Sequence, residues 1–215
     1  MTKWLYGDAW ERFPIEAGHI WGLGNGSRVA VHDIFEPLPA WMRADLVFVD
    51  PPWNLGNLNT FYTKAAREDY KTDFKQFADV LFQRIGEIGA RTAYIEIGNQ
   101  AVKDWEQRLS LQYPFVQRWP VLYYRKHPTN LLRGGDVPIS YDYSGIDEAK
   151  CIQILAEIEH YTVLADPCMG RGLAGMAAYR AGHAFVGTEL NRRRLAVLLA
   201  HLADAGAEIM RFTNG

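Results

Sequence analysis

The tetrapeptide Asp50-Pro51-Pro52-Trp53 follows the run Asp45-Leu46-Val47-Phe48-Val49 with no turn residue between them. An apolar run of this length reads as a buried strand, so the Asp50 carboxylate stands at a strand end. Two consecutive prolines have a fixed φ and no N–H, so the chain beyond Asp50 cannot go on pairing in a sheet and is held stiff, carbonyls outward. A carboxylate, a prolyl carbonyl and an indole face can then converge on one planar guest. The guest that uses all three has an amino group with two N–H donors and a π-face, as in the exocyclic amine of adenine or cytosine. The plainer alternative is a strand-ending turn with Trp53 in the core, and the rest of the chain has to decide between them.

Composition sets outer bounds. The chain has 215 residues, 48% hydrophobic and 22% charged, with no apolar stretch long enough to span a bilayer. One soluble domain, residues 1–215, is expected. The N-terminus lacks the basic-then-apolar order of a signal peptide, and Cys151 and Cys168 do not suggest a disulfide framework, so a reducing cytoplasm is the expected setting. The formal charge of −2 carries no bulk signature of nucleic-acid binding but leaves room for a local basic face.

Along the chain, the first 28 residues are aromatic and Gly-rich, with Trp4, Tyr6, Trp10, Phe13 and Trp21 and no clean period. They read as a packed extension, or as a lip of the site. Arg28 to His32 is a short strand leading to Asp33-Ile34, so two strands each end in an acid; in open α/β sheets such ends share one crevice. Residues 54–72, with Asn54, Tyr62, Lys64, Arg67, Tyr70 and Lys71, read as a mobile loop over the site. Asp73 to Ile88 fits a helix, Ala93 to Ile97 a strand, Ala101 to Leu109 a helix, and Arg118 to Arg125 a strand. Residues 126–145 have turn composition, and Asp147 to His160 reads as a helix with Ile146, Ile152, Leu155 and Ile158 on its inner face.

A second constellation follows. Thr162 to Asp166 is a strand, Pro167-Cys168-Met169-Gly170-Arg171-Gly172 a glycine-punctuated turn, and Ala174 to Arg180 a helix whose N-terminus offers unpaired N–H groups. Ala184 to Glu189 is a strand ending in an acid, the position that grips a ribose diol, and Arg192 to Ala203 is a helix. Gly170, Gly172 and Gly175 nearly spell a dinucleotide fingerprint. Asp166 in the turn itself would repel a pyrophosphate, and suits a cationic ligand such as an aminoacyl sulfonium.

With these motifs in this order, the chain resembles the amino-group DNA methyltransferases that use S-adenosylmethionine, in their permuted β-type arrangement, over residues 28–203. The resemblance implies an α/β fold of Rossmann-like methyltransferase type: a mostly parallel twisted sheet, helices on both faces, circularly permuted motif order. It implies that Asp50, Pro51, Pro52 and Trp53 form the catalytic motif, Trp53 stacking on a flipped or single-stranded base. Asp166, Pro167, Cys168, Gly170 and Gly172 would form the cofactor loop, Glu189 would hold the ribose hydroxyls, and Asp33 with Ile34 would lie near the cofactor adenine. Lys150 stands where the family often has Lys-Pro, with Cys151 in place of the proline, and Cys168 where it commonly has Phe. Asp8, in Tyr6-Gly7-Asp8, imitates a family Gly-Asp but lies too far upstream and reads as a decoy.

Asp at the first motif position is typical of adenine N6 transfer in that family, and no metal is required. Substrate readers would come from residues 54–72 and 118–145, with Asn54, Tyr62, Lys64, Arg125, Lys126 and Arg133 as candidates. These readers are few, so a small recognition site or a second subunit in a homodimer is expected. DNA is the expected partner, and no membrane. The alternatives are N4-cytosine or RNA adenine transfer and a catalytically silent binding subunit; a glutamine-modifying protein methyltransferase and a dinucleotide oxidoreductase rank below them.

Overall fold

In the computed structural model, residues 6–67 and 73–212 are described. Sixteen elements follow in order. A single helical turn α1 (Ala9–Arg12) leads to strands β1 (Ile20–Gly22), β2 (Arg28–Val31) and β3 (Leu46–Val49), then helices α2 (Leu55–Lys64) and α3 (Phe74–Ile88). β4 (Thr92–Ile97), α4 (Val102–Ser110) and the paired strands β5 (Phe115–Tyr123) and β6 (His127–Gly135) come next. The second half is α5 (Glu148–Ile158), β7 (Val163–Asp166), α6 (Leu173–Arg180), β8 (Ala184–Glu189), α7 (Arg192–Asp204) and β9 (Met210–Phe212).

The nine strands form one sheet in the order β5-β6-β4-β3-β7-β8-β2-β1-β9. The block from β4 through β3, β7 and β8 to β2 is parallel; β6 on one side and β1 on the other run antiparallel to it, and the edge strands β5 and β9 pair antiparallel with β6 and β1. The apolar run of β3 is continuous because both its faces are covered. Leu46 and Phe48 pack into a core shared with α5, α6 and α7, while Val47 and Val49 pack into another shared with α2, α3 and α4. Asp45 joins the starts of β3 and β7, its Oδ2 accepting from the Thr162 N–H at 2.8 Å and hydroxyl at 2.6 Å. Pro120 is tolerated within β5 because β5 is an edge strand.

Three sequence expectations are corrected. Residues 55–64 are a helix, not a loop: Asn54 Oδ1 accepts from the Asn57 N–H at 2.9 Å and caps it, and Leu58 and Tyr62 are buried. Residues 68–72 of that segment, with Tyr70 and Lys71, lie outside the described residues. Residues 127–135 are a strand, not turns. Gly134 and Gly135 are there for close packing, since a Cβ on Gly134 would stand 2.5 Å from the Tyr113 ring and one on Gly135 2.7 Å from the Arg133 guanidinium. Ile158, expected inside, is 38% exposed at the end of α5. The N-terminal segment supplies strand β1, with α1 packed on α7 through an Arg12–Asp204 ion pair; Trp4 lies outside the described residues.

Candidate active site

Parallel pairing of β3 with β7, Leu46 opposite Leu164 and Val47 opposite Ala165, brings Asp50 and Asp166 to the same edge of the sheet. β8 beside β7 adds Glu189, and β2 beside β8 leads to Asp33. All four acids line one cavity of about 410 Å³, together with Ile34, Pro52, Tyr62, Pro167, Cys168 and Gly170. That volume lies in the range of small-molecule sites.

The cofactor-type end is built from backbone donors. Glu189 accepts from the Gly170 N–H through Oε2 and from the Asn191 N–H through Oε1, each at 2.8 Å. Asp166 Oδ1 accepts from the Cys168 N–H at 2.9 Å. Burial pushes Asp166 well above the usual carboxylate range and pushes Glu189 and the Cys168 thiol up. Asp33 Oδ1 takes the Tyr62 hydroxyl at 2.8 Å and the Phe35 N–H at 3.1 Å, and Arg67 lies 3.5 Å from Oδ2. Gly172 does not line the cavity but shapes its loop: its φ is 79°, and a Cβ there would come within 2.5 Å of Leu198.

At the other end, Asp50 is half-buried at the head of the tetrapeptide. Burial raises its pKa to about 7, against the opposing effects of the Trp53 hydrogen bond and the Arg194 charge. Trp53 Nε1 donates to Asp50 Oδ1 at 3.1 Å, and its ring meets Tyr123 edge-on at 4.8 Å. Neither Trp53 nor buried Pro51 lines the cavity, so the expected stacking face is not presented there; Phe61, Tyr123 and Tyr124 supply aromatic lining instead.

The remaining sequence candidates separate. Arg133 is 2% exposed, pairs with Glu159 at 2.8 Å and donates to the Val137 carbonyl; it is a core ion pair, not a nucleic-acid reader. Lys150 is exposed within α5, its Nζ bonded to Gln153, and does not line the cavity. Helix α5 starts two residues before Lys150, so the lysine falls on the outer face of its first turn. Asn54 is the cap of α2, and Lys64, exposed at its end, is lowered by burial and by Arg194 and Arg171. Arg125 and Lys126 are exposed at the β5–β6 tip, next to Tyr124, which lines the cavity. Asp8 is exposed and does not line it.

Two acids went unnoticed in sequence. Glu148 lines the cavity, raised to about 8 by burial and by Asp50 and Asp147. Glu96, 1% exposed in β4, takes the Thr129 hydroxyl at 2.8 Å and is raised to about 10 by burial, Asp50 and Glu148. A lone acid in the apolar strand Ala93-Tyr94-Ile95-Glu96-Ile97 was a visible signal. An acid in the first turn of a helix, as Glu148 is, reads as ordinary.

No protein-family model matches the sequence, and no curated protein matches it. Solved structures do match. A provisionally named DNA modification methylase, TTHA0409 from Thermus thermophilus in complex with S-adenosyl-L-methionine, aligns with TM-score 0.59 at 16% identity, over 83% of this chain and 93% of that one. M1.HpyAVI in complex with S-adenosylmethionine aligns with TM-score 0.54 at 13% identity, over 81% of this chain and 98% of that one. The chain has the fold of these methyltransferases. In this methyltransferase fold Asp50 and the Asp166 to Gly172 turn sit at adjacent strand ends, the arrangement expected from the motif order.

Proposed function

We propose that the protein transfers a methyl group from S-adenosylmethionine to the exocyclic N6 amine of adenine in DNA. The observation that carries this reading is the single cavity shared by Asp50 and the Asp166–Glu189 end. An arrangement opening the two strand ends on opposite sides of the sheet would have removed it. The residues fit the cofactor: buried Asp166 and Glu189, both pushed upward, are relieved by a ligand carrying positive charge. Asp166 and Gly170 would hold the aminoacyl part, Glu189 the ribose, and Asp33 with Ile34 the adenine end. When bound, the cofactor supplies an electrophilic methyl on a sulfonium.

Asp50 does the chain's part of the chemistry. The amine lone pair of an aminobase is delocalised into its ring and is a poor nucleophile. As a carboxylate, Asp50 accepts one N–H, with the Pro51 carbonyl as second acceptor, which favours a pyramidal nitrogen aimed at the methyl. Trp53 holds the carboxylate in place, and Tyr123, Tyr124 or Phe61 offers the stacking face. Arg125 and Lys126 at the hairpin tip are suited to phosphates beside the extruded base. Asp50 rather than Ser at this position favours adenine over cytosine, by the family resemblance.

The test is incubation of the protein with methyl-labelled cofactor and DNA or RNA, followed by digestion to nucleosides. Label in N6-methyldeoxyadenosine, abolished by Asp50→Ala with cofactor binding retained, is expected. Label in N4-methylcytosine, label only in RNA, or none in any nucleic acid overturns the reading.

A further inference from the structure

Glu148 is a buried acid that the reaction outlined above does not use. It is the first residue of α5, and the start of that helix is tied to the β5–β6 hairpin. The Leu122 N–H donates to the Ile146 carbonyl at 2.9 Å, Leu122 bridges Asp147, and the Arg125 N–H donates to Asp147 Oδ1 at 2.6 Å. This anchoring makes Glu148 part of the wall of the cavity that contains Asp50. The residue is 7% exposed, and its carboxyl receives no hydrogen bond from the described residues.

The titratable groups that face it are Asp50 after β3, Glu96 in β4, Tyr123 in β5, Asp166 in β7, and Asp147 and Cys151 on its own helix; none is a cation. Nor are the carboxyls placed to hold a metal: no group of three or more His, Cys, Asp or Glu among the described residues is so arranged. Acids crowded at low dielectric cannot all ionise, so protons must remain among them. Hydrogen-bond donors decide which acid loses its proton first. Asp50 has the Trp53 indole N–H at 3.1 Å, whereas Glu148 has no donor among the described residues. Glu96 has the Thr129 hydroxyl but does not reach the cavity. Asp50 is therefore the carboxylate of the pair, and Glu148 keeps its proton.

We propose that Glu148, as a neutral acid, binds the target base by donating its O–H to the ring nitrogen beside the amine that Asp50 accepts. The two carboxyls then grip a single N–C–NH2 edge from its two sides. This rests on the reading of the site as an aminobase methyltransferase. Adenine and cytosine both carry that edge, so Glu148 sets the plane and orientation of the base rather than the choice between those two. Thymine and uracil present an N–H and a carbonyl there and are refused twice, lacking both the acceptor nitrogen and the amine.

The experiment is kcat/KM against pH for wild type, E148Q and E148A on one DNA, with S-adenosylmethionine binding as the folding control. E148A is expected to lose roughly 10- to 100-fold, the worth of a buried hydrogen bond and the partner it leaves unpaired. E148Q, whose amide keeps an N–H donor, recovers most of that loss. Wild-type kcat/KM declines as pH rises past about 8, where Glu148 ionises, and E148Q lacks this decline. E148A equal to wild type at every pH, or an unchanged alkaline decline in E148Q, overturns the proposal while leaving the methyltransferase reading intact. Should E148A fail to fold, the wild-type and E148Q profiles carry the test alone. A wild type that methylates neither DNA nor RNA overturns the functional reading, and the role of Glu148 with it.

Discussion

The indole N–H of Trp53 donates to Asp50 Oδ1 at 3.1 Å, within the same tetrapeptide. The tryptophan thus serves the carboxylate, and its ring is committed to Tyr123 and to the space left by Gly98, where a Cβ would stand 3.2 Å away. Removing that donor should make the Asp50 carboxylate harder to form. Trp53→Phe is expected to move the acid limb of kcat/KM upward from about 7 and to lower the rate near neutrality by roughly tenfold, with recovery at higher pH. An acid limb unchanged from wild type would show that the indole does not tune the carboxylate.

The buried acids also govern stability. Asp50, Glu148 and Glu96 are raised to about 7, about 8 and about 10, so between the ordinary carboxylate range and those values the folded state holds more protons than the unfolded. Stability therefore falls as pH rises through that window. Urea midpoints are expected to be lower at about pH 9 than at about pH 6, and Glu96→Gln should flatten the difference. A midpoint that rises with pH contradicts the proton count.

Arg133 and Lys126, both candidate readers by residue type, should behave as opposites. Arg133→Ala removes the guanidinium from half-buried Glu159, whose Oε1 keeps the Tyr94 hydroxyl, and is expected to lower the unfolding free energy by about 3 kcal/mol, read from denaturant unfolding. Lys126→Ala should leave stability unchanged while reducing the salt dependence of DNA binding by about one phosphate contact, read from affinity at several salt concentrations.

Gly172 tests the cofactor loop. Its φ of 79° and the 2.5 Å approach of Leu198 leave no room for a methyl group. Gly172→Ala is expected to weaken S-adenosylmethionine binding by roughly tenfold or more in calorimetry, from about 1–2 kcal/mol of left-handed strain plus the clash. Adding Leu198→Ala should return the part due to the clash and not the part due to strain.

Much of this was legible because it is local. The four-residue runs of β3 and β7, the Asp73 cap of α3 and the acid closing β8 are written in neighbouring residues, and the structure has them where the pattern put them. Where residue type was read as a role, the reading failed. Glycines at 134 and 135 looked like turns but make room for Tyr113 and Arg133, and the polar residues 54–64 hid a helix whose buried face is only Leu58 and Tyr62. Arg133 looked like a free cation because its partner, Glu159, is distant in sequence.

By itself the amino-acid order determined a strand-bound carboxylate made rigid by two prolines, an acid-and-glycine turn, and the succession of strands and helices between them. Those properties depend on backbone chemistry within a few residues. Only the tertiary structure decided that β3 and β7 lie side by side and that Glu96 and Glu148 crowd the same carboxylate. Burial and electrostatic coupling arise between segments far apart in the chain, and there the local pattern carries no information.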